Sequence, residues 1–539
     1  MRTLRQCLWL LLLCFTAWLQ YGVEWARRVF GSRTLRLDPA GQRADHSESR
    51  KPEPWRTDPA WRTYAGREGP TVTVQTSTHA FQADLGRLSE ASEYFRALSR
   101  SRMRETAESL VHLEHVPSHV FHNLLEFTFL GRFSVPEEEL GLHIQIGSYL
   151  LVQPFVSECL SSLASALTPE NCEAYLAFAR EICCLEMLEA VRRYLSTNLL
   201  ELAHLTGRLD PEEREELIRL RLGGARRLCA LRKENLTSGS QSDTAAARHL
   251  YSLAGEEEEE GGAWRAEAEL PFAADKWCFT TAVLHNYLYL IGGYRHRVRR
   301  GYQFKMASFR YNPFTHTWVS TAPLIKHRRH FSAAACEGSV FALGGWYLDS
   351  LVAPDSGTAL YTAVERYDPW ADSWAFVSSL PLTDFRFAVS LSHDVPLATA
   401  LHRCVYVLGT VQRTGEKLVL QYDVTQDSWS ELLPTLTRAD ADIPSLYFLG
   451  ATDRLFVIGG TNSANVVTSL CVESGRWGRV RTTEKMWLAG QGTVLNDQVY
   501  MSDVEHNSIV RLDLRSLAVH RLPPFPIHTS YEALFHLHF

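Results

Sequence analysis

The chain is poor in the features that announce chemistry. Its 539 residues hold eleven cysteines, none of them in a C-x-x-C pair. That spacing excludes a disulfide framework and the common structural zinc motifs, and it fits a reducing compartment. No Walker loop, Rossmann fingerprint, HExxH pair or Ser-centred nucleophile elbow occurs. His316, His327, His330, His393, His528, His536 and His538 lack tight ligand spacing. The reading therefore assigns no catalytic residue, no metal and no cofactor, and expects a protein that is not an enzyme. An excess of one charge is also missing. Fifty-five Lys and Arg face 61 Asp and Glu, a net charge of -6, which offers nothing in bulk to hold nucleic acid.

Long apolar runs are confined to one place. Residues 7–23 carry no charge, and 17 residues is the short limit for a helix crossing a bilayer. Arg2 and Arg5 precede the run, and the heavier cluster Arg27, Arg28, Arg33 and Arg36 follows it. That asymmetry would leave the main body in the cytosol. No small-x-small cleavage site follows, which argues against a secretory signal. Residues 1–30 are thus read as an apolar leader, either a membrane anchor for a cytoplasmic protein or a leader without that role.

What the chain does have is ordinary globular content, 45% hydrophobic and 22% charged, with room for two to four domains. Residues 31–69 are rich in Arg, Asp, Ser and Pro without apolar periodicity and read as a linker. Thr71 to Val74 alternates like a strand, after which the pattern turns helical. The run through Val120, Leu124, Leu125 and Phe127 ends at Gly131, a C-cap. Thr168-Pro-Glu-Asn171 reads as a helix start, and Pro211–Arg221 as one further helix. Residues 236–262 contain five consecutive glutamates, Glu256 to Glu260, a solvated acidic loop.

From about residue 245 the chain is a repeat array. The shared form is an apolar strand ending near Gly-Gly, a variable loop, a strand ending in Tyr (Cys in the fourth copy), then Trp. Gly292-Gly293 is followed by Tyr311 and Trp318, and Gly344-Gly345 by Tyr367 and Trp374. Gly409-Thr410 precedes Tyr422 and Trp429, and Gly459-Gly460 precedes Cys471 and Trp477. A fifth, degenerate copy spans Gln498–Met501 and Ile509–Leu512. Units this small cannot cover their own faces and must stack, and radial stacking protects their edges. Leu250–Leu253 and Trp264–Leu270 read as outer strands lacking inner partners, and the alternation from Tyr531 to Phe539 as a last strand that joins them. The expectation is six blades, with five as the fallback.

The repeat resembles the kelch family, and the segment before it resembles BTB and BACK domains. The BTB likeness rests on Phe81-Gln-Ala, Ser92-Glu-Tyr-Phe-Arg-Ala97, Met103-Arg-Glu105, Val111-His-Leu113 and Leu124–Gly131, in the family's order. The BACK likeness rests on Pro169-Glu-Asn-Cys172 with Phe178-Ala179. The resemblance implies a multidomain α+β chain. A BTB domain would occupy 70–167, a truncated BACK-like helical region 168–235 and a kelch propeller 245–539. It also implies a substrate adaptor of a cullin-3 RING ubiquitin ligase: the BTB domain dimerises and binds cullin-3, and the propeller holds a protein target. Met103, Arg104 and Glu105 match the family's cullin-contact motif. One departure is Asp84, which stands where the family has a His in its charged dimer-interface pocket.

Basic residues near the blade ends suggest where a target would sit. Arg295, Arg297, Arg299 and Arg300 follow the first Gly-Gly, Arg328 and Arg329 lie between blades one and two, and Arg386 and Arg438 recur between later blades. On a shared face they would suit an acidic segment, because guanidinium binds carboxylate in a bidentate fork. The alternative reading is a structural scaffold for actin or a membrane-associated partner, with no ligase role.

Overall fold

The computed structural model describes residues 63–64, 70–101, 105, 108–236, 241–254, 262–299, 301–347, 361–381, 385–386, 394–411, 413–436, 445–460 and 463–539. The apolar run 7–23 and the acid run 256–260 lie outside them. Among the described residues no helix is long and apolar enough to cross a membrane. The chain divides into two compact units, one ending at Asn198 and one beginning at Leu199.

In the first unit, Thr71–Gln75 pairs antiparallel with Ala80–Asp84 and parallel with Leu110–His112. Val72 and Val74 point inward while Thr71 and Gln75 face out, so one side of the small sheet lies on the helices. The helices are Leu85–Ala91, Glu93–Arg100, Ser118–Leu130, Leu140–Tyr149, Gln153–Ala166, Cys172–Glu181 and Leu185–Thr197. Buried Ser92 is the hinge between the first two. It caps the second by accepting from Phe95 N–H at 3.2 Å and donates to Leu150 O at 2.5 Å. Gly131 is the expected left-handed cap, at φ 66°. Two expectations shift. Thr63–Tyr64, read as linker, adds a parallel edge strand, and Tyr64 donates to Glu126 at 2.8 Å. The helix expected to begin near Thr168 starts instead at Cys172. The Asn171 side chain closes a preceding turn by accepting from Thr168 N–H and donating to Ala166 O.

The second unit is a β-propeller. Four blades are separate antiparallel sheets. Their first and last strands are Trp277–Leu284 and Thr317–Thr321, Ser332–Cys336 and Ser373–Val377, Leu397–Leu401 and Ser428–Leu436, and Ser445–Ala451 and Arg476–Trp477. The remaining blade strands form one eight-stranded sheet. A single parallel bridge, Gln491 to Ala533, joins its two four-stranded antiparallel halves. Among the described residues, four discrete blades carry the clear repeat and the last two four-stranded units are joined by that one bridge, six units in all.

The repeat residues explain the stacking. In the first three copies Tyr and Trp face each other across adjacent strands, Tyr311–Trp318, Tyr367–Trp374 and Tyr422–Trp429, with ring centroids 4.9–5.1 Å apart. Each later Trp donates its indole N–H to the blade before it. Trp374 reaches Ala322 O, Trp429 reaches Ser378 O and Trp477 reaches Pro434 O, at 2.9–3.0 Å. Trp264 does the same to Pro523 O at 3.1 Å, supplying the link for the closing unit. Gly344 and Gly345 both have left-handed backbone, φ 69° and 82°. A Cβ on Gly344 would lie 2.3 Å from the ring of Pro396 in the next blade, so only glycine fits.

Closure corrects the expected boundary. The last strand, Glu532–His538, does not pair with Leu250–Leu253. It pairs along its whole length with Arg226–Arg232, which in turn pairs with His249–Ala254. Residues 226–235 therefore belong to the propeller, not to a helical region. The missing inner partner was hidden because Arg226-Arg227 gives the strand a polar start, while its core Leu228–Leu231 is fully buried without alternation. Register is pinned by a cross-strand ion pair: Arg232 Nε lies 2.8 Å from Glu532 Oε1, and the Glu532 carboxylate is wholly buried. Before the strand, Pro211–Arg221 docks on the first blade. Buried Arg221 donates to His285 O at 2.9 Å and packs over Tyr287, 4.0 Å from the ring centre.

Glu532→Ala, which strands a desolvated guanidinium, is expected to lower stability by about 3–5 kcal/mol. Replacing both partners together, Arg232→Met with Glu532→Met, should recover most of the loss in urea unfolding, because no buried charge is then left unpaired.

Candidate protein-binding face of the propeller

The first strand of each blade starts at the same end of the propeller. Lys233 Nζ, just before the closing unit turns into the first blade, meets Asp394 ahead of the third blade. Thr280 of the first blade donates to Phe331 O ahead of the second, at 2.9 Å. Inside the ring lies a cavity of about 440 Å³, walled by small first-strand residues such as Ala282, Ala334 and Ala398.

From this end projects a long hairpin. Tyr287–Val298 and Gly301–Asn312 pair over their full length, running past the start of the Trp277–Leu284 strand. Arg295, opposite Phe304, is held in place: its guanidinium pairs with Asp275 and stacks over Tyr302, 4.2 Å from the ring centre. Arg297, directly opposite Tyr302, and Arg299 are exposed, and Tyr302 itself is 62% exposed. Alternation puts Arg295, Arg297, Tyr302 and Phe304 on one hairpin face. A rigid aromatic flanked by guanidinium groups is the composition of a binding hot spot.

The structure separates the other candidate arginines. Arg328 is fully buried inside the second blade. It donates to Gly344 O at 2.9 Å and Ala363 O at 2.8 Å and pairs with the buried carboxylate of Glu365. Glu365 in turn accepts from the backbone N–H groups of Ile325 and Lys326. Burial lowers the Arg328 pKa, and the Glu365 carboxylate opposes that shift. Arg329 is also buried, on the Arg328–Arg329 strand opposite Trp346. Neither is available to an acidic partner, because both are buried, and the Arg328 guanidinium is already engaged by Gly344 O, Ala363 O and Glu365. Arg386 lies on a two-residue strand opposite Thr410, with its side chain outside the described set. Arg300 and Arg438 lie outside the described residues.

Two exposed aromatics were missed, Tyr302 on the hairpin and Trp487. Trp487 is 54% exposed just before Leu488–Leu495, with Lys485 over its ring at 5.0 Å. It falls outside the repeat's Trp position, and that irregularity was the available signal.

In the first unit, Met103 and Arg104 lie outside the described residues, whereas Glu105 is helical and half-buried. Glu105 is near enough to Tyr94 to reinforce, with Tyr149, the upward pKa shift that burial imposes on that phenol. Asp84 is spent on a helix cap, accepting from Arg87 N–H at 3.0 Å.

Comparisons with known proteins agree with this architecture. The family profile of the BTB/POZ domain matches residues 66–167. The human Kelch repeat and BTB domain-containing protein 13 is 27% identical over 419 residues, covering 76% of this chain and 82% of that protein. Kelch repeat and BTB domain-containing protein 2 from Pongo abelii is 22% identical, over 70% of this chain and 69% of its own length. Mouse Kelch domain-containing protein 7A is 28% identical over half of this chain and 30% of its own length.

The division of the arginines is directly measurable. Arg328→Ala should cost about 3–5 kcal/mol by abandoning a buried carboxylate. Arg297→Ala should change stability by less than about 0.5 kcal/mol, as surface substitutions do. Chemical unfolding of the two variants side by side reads the difference.

Proposed function

From the premise that the chain is a BTB–kelch protein, we propose that it is a substrate-recognition adaptor of a cullin-3 RING ubiquitin ligase. The observation that supports this reading most is the presence, in one chain, of a BTB domain and a propeller carrying an exposed Arg–Tyr hairpin. The adaptor does no chemistry. It raises the effective concentration of a bound target at the site of ubiquitin transfer. In this reading the 70–167 domain contacts cullin-3 through Met103, Arg104 and Glu105, and an apolar side chain beside a carboxylate suits such an interface. Arg297, Arg299 and Tyr302, with Arg295 braced behind them, hold an acidic target segment. A homodimer through the BTB domain completes the assembly.

The scaffold alternative keeps one observation in its favour. Asp84 stands in the family's dimer pocket and its carboxylate is engaged in a cap, so pairing of two copies would need other contacts.

Cullin-3 is expected to co-purify with the full chain, and Met103→Ala/Glu105→Ala should abolish capture while the chain stays folded. Wild-type protein that folds but captures no cullin-3 would remove the ligase reading and leave the scaffold. On the propeller, Arg297→Glu/Arg299→Glu should weaken binding of an acidic peptide at least tenfold. The wild-type affinity should fall steeply as salt is raised, since these charges are exposed to screening.

A further inference from the structure

At the end of the propeller where first strands begin, three potential ligands from distant parts of the sequence converge. Glu234 sits on the two-residue strand Glu234–Asn235, directly opposite Cys278. His330 lies just ahead of the second blade, two residues before Ser332–Cys336. Cys278 Sγ is 3.6 Å from Glu234 Oε2, and His330 Nδ1 is 3.5 Å from the same oxygen. All three ligand atoms fall within 4.8 Å of one another, and all three residues are buried.

These separations have a chemical meaning. With zinc bond lengths of about 2.3 Å to sulfur and 2.0–2.2 Å to nitrogen or oxygen, tetrahedral angles place S and O about 3.6 Å apart and N and O about 3.4 Å apart. The two measured edges match. A mixed thiolate, imidazole and carboxylate set suits a borderline-soft divalent ion and suits magnesium or calcium poorly.

The surroundings fit a held site. His330 has left-handed backbone, φ 49°, a conformation uncommon for a residue with a side chain. Its carbonyl accepts from Val395 N–H at 2.8 Å, and its backbone N–H is among the groups that favour the Cys278 thiolate. Such outer contacts orient ligands at metal centres. Asn235 anchors the other side by donating to Asp275 O at 2.6 Å. Two cations lie nearby, Lys233 and Arg329, and Lys233 is neutralised by its ion pair with Asp394.

As free groups the three are costly to bury. Burial pushes Glu234 up to about 7 and the Cys278 thiol well above its usual value, and it drives His330 down to about 3. A divalent cation reverses the first two penalties by favouring carboxylate and thiolate, and it takes the neutral imidazole that burial already favours at His330.

We infer that Glu234, Cys278 and His330 form a three-ligand site for a zinc-class divalent ion, with water in the fourth position. Binding displaces the Cys278 thiol proton, and the proton of whatever fraction of Glu234 is protonated, to solvent and forms one bond each to sulfur, nitrogen and oxygen, with no change of oxidation state. The ion would clip the segment that follows the closing unit to the first and second blades. This inference does not depend on the adaptor reading.

The test is a cobalt titration of the full, metal-stripped chain. One equivalent of Co²⁺ should bind and give a thiolate-to-cobalt charge-transfer band with ligand-field bands in the visible, and Zn²⁺ should bleach both. Cys278→Ser should lose the charge-transfer band. The near-isosteric Glu234→Gln, and His330→Gln, should each weaken binding at least tenfold. Folded wild-type protein that binds no Co²⁺, or a charge-transfer band that survives Cys278→Ser, overturns the site. Should Cys278→Ser fail to fold, the wild-type titration and Glu234→Gln decide the matter alone.

Discussion

The propeller depends on one long-range pairing, the strand Glu532–His538 laid against Arg226–Arg232. Every other blade is assembled from strands close in sequence, so its contacts form locally. Closure instead joins Arg232 to Glu532 across 300 residues. Bringing ends together over that length costs about 5 kcal/mol of loop entropy by the logarithmic law. The strand pairing offsets this by burying Leu228, Leu231, Leu534 and Leu537. The Arg232–Glu532 pair adds little net stability of its own, because desolvating two ions consumes most of their attraction. Its contribution is to register: a slip by one residue would move Arg232 away from Glu532 and leave both charges unmatched inside the ring.

Much of this was legible in the residues. The Gly-Gly, Tyr and Trp spacing identified the repeat because each of those residues does one fixed thing. The glycines allow close approach to the next blade, the Tyr and Trp form a cross-strand aromatic pair, and the indole bonds the blade before. Where the same contacts are made by other residues the signal fades. The fifth unit uses Val519 where earlier blades use Trp, and the closing unit supplies Trp264 out of order. Arg226–Arg232 was unreadable for a different reason. A central strand buried on both faces has no alternation, and its two leading arginines looked like a basic surface.

The arginines show the limit of composition most clearly. Arg297 and Arg328 are the same residue type, both placed near blade ends by the repeat. One projects from a hairpin tip and the other spends every donor it uses on Gly344, Ala363 and Glu365. Only the position of the buried carboxylate at residue 365 separates them, and that residue lies 37 positions away. The same holds for Glu234, Cys278 and His330: no local motif can announce three groups that meet only after the first two blades have stacked against the closing unit.

The closing strand also governs the order in which the fold can come into being during synthesis. Glu532–His538 follows every other blade in the sequence, while its partner Arg226–Arg232 precedes them all. While the chain is being made, Arg226–Arg232 must wait with an unpaired edge as blade after blade emerges beside it. Exposed edges of that kind invite pairing between chains. A message interrupted anywhere past the first blade would therefore not yield a smaller working propeller, but an open arc with a sticky edge, fit for the quality-control machinery rather than for binding.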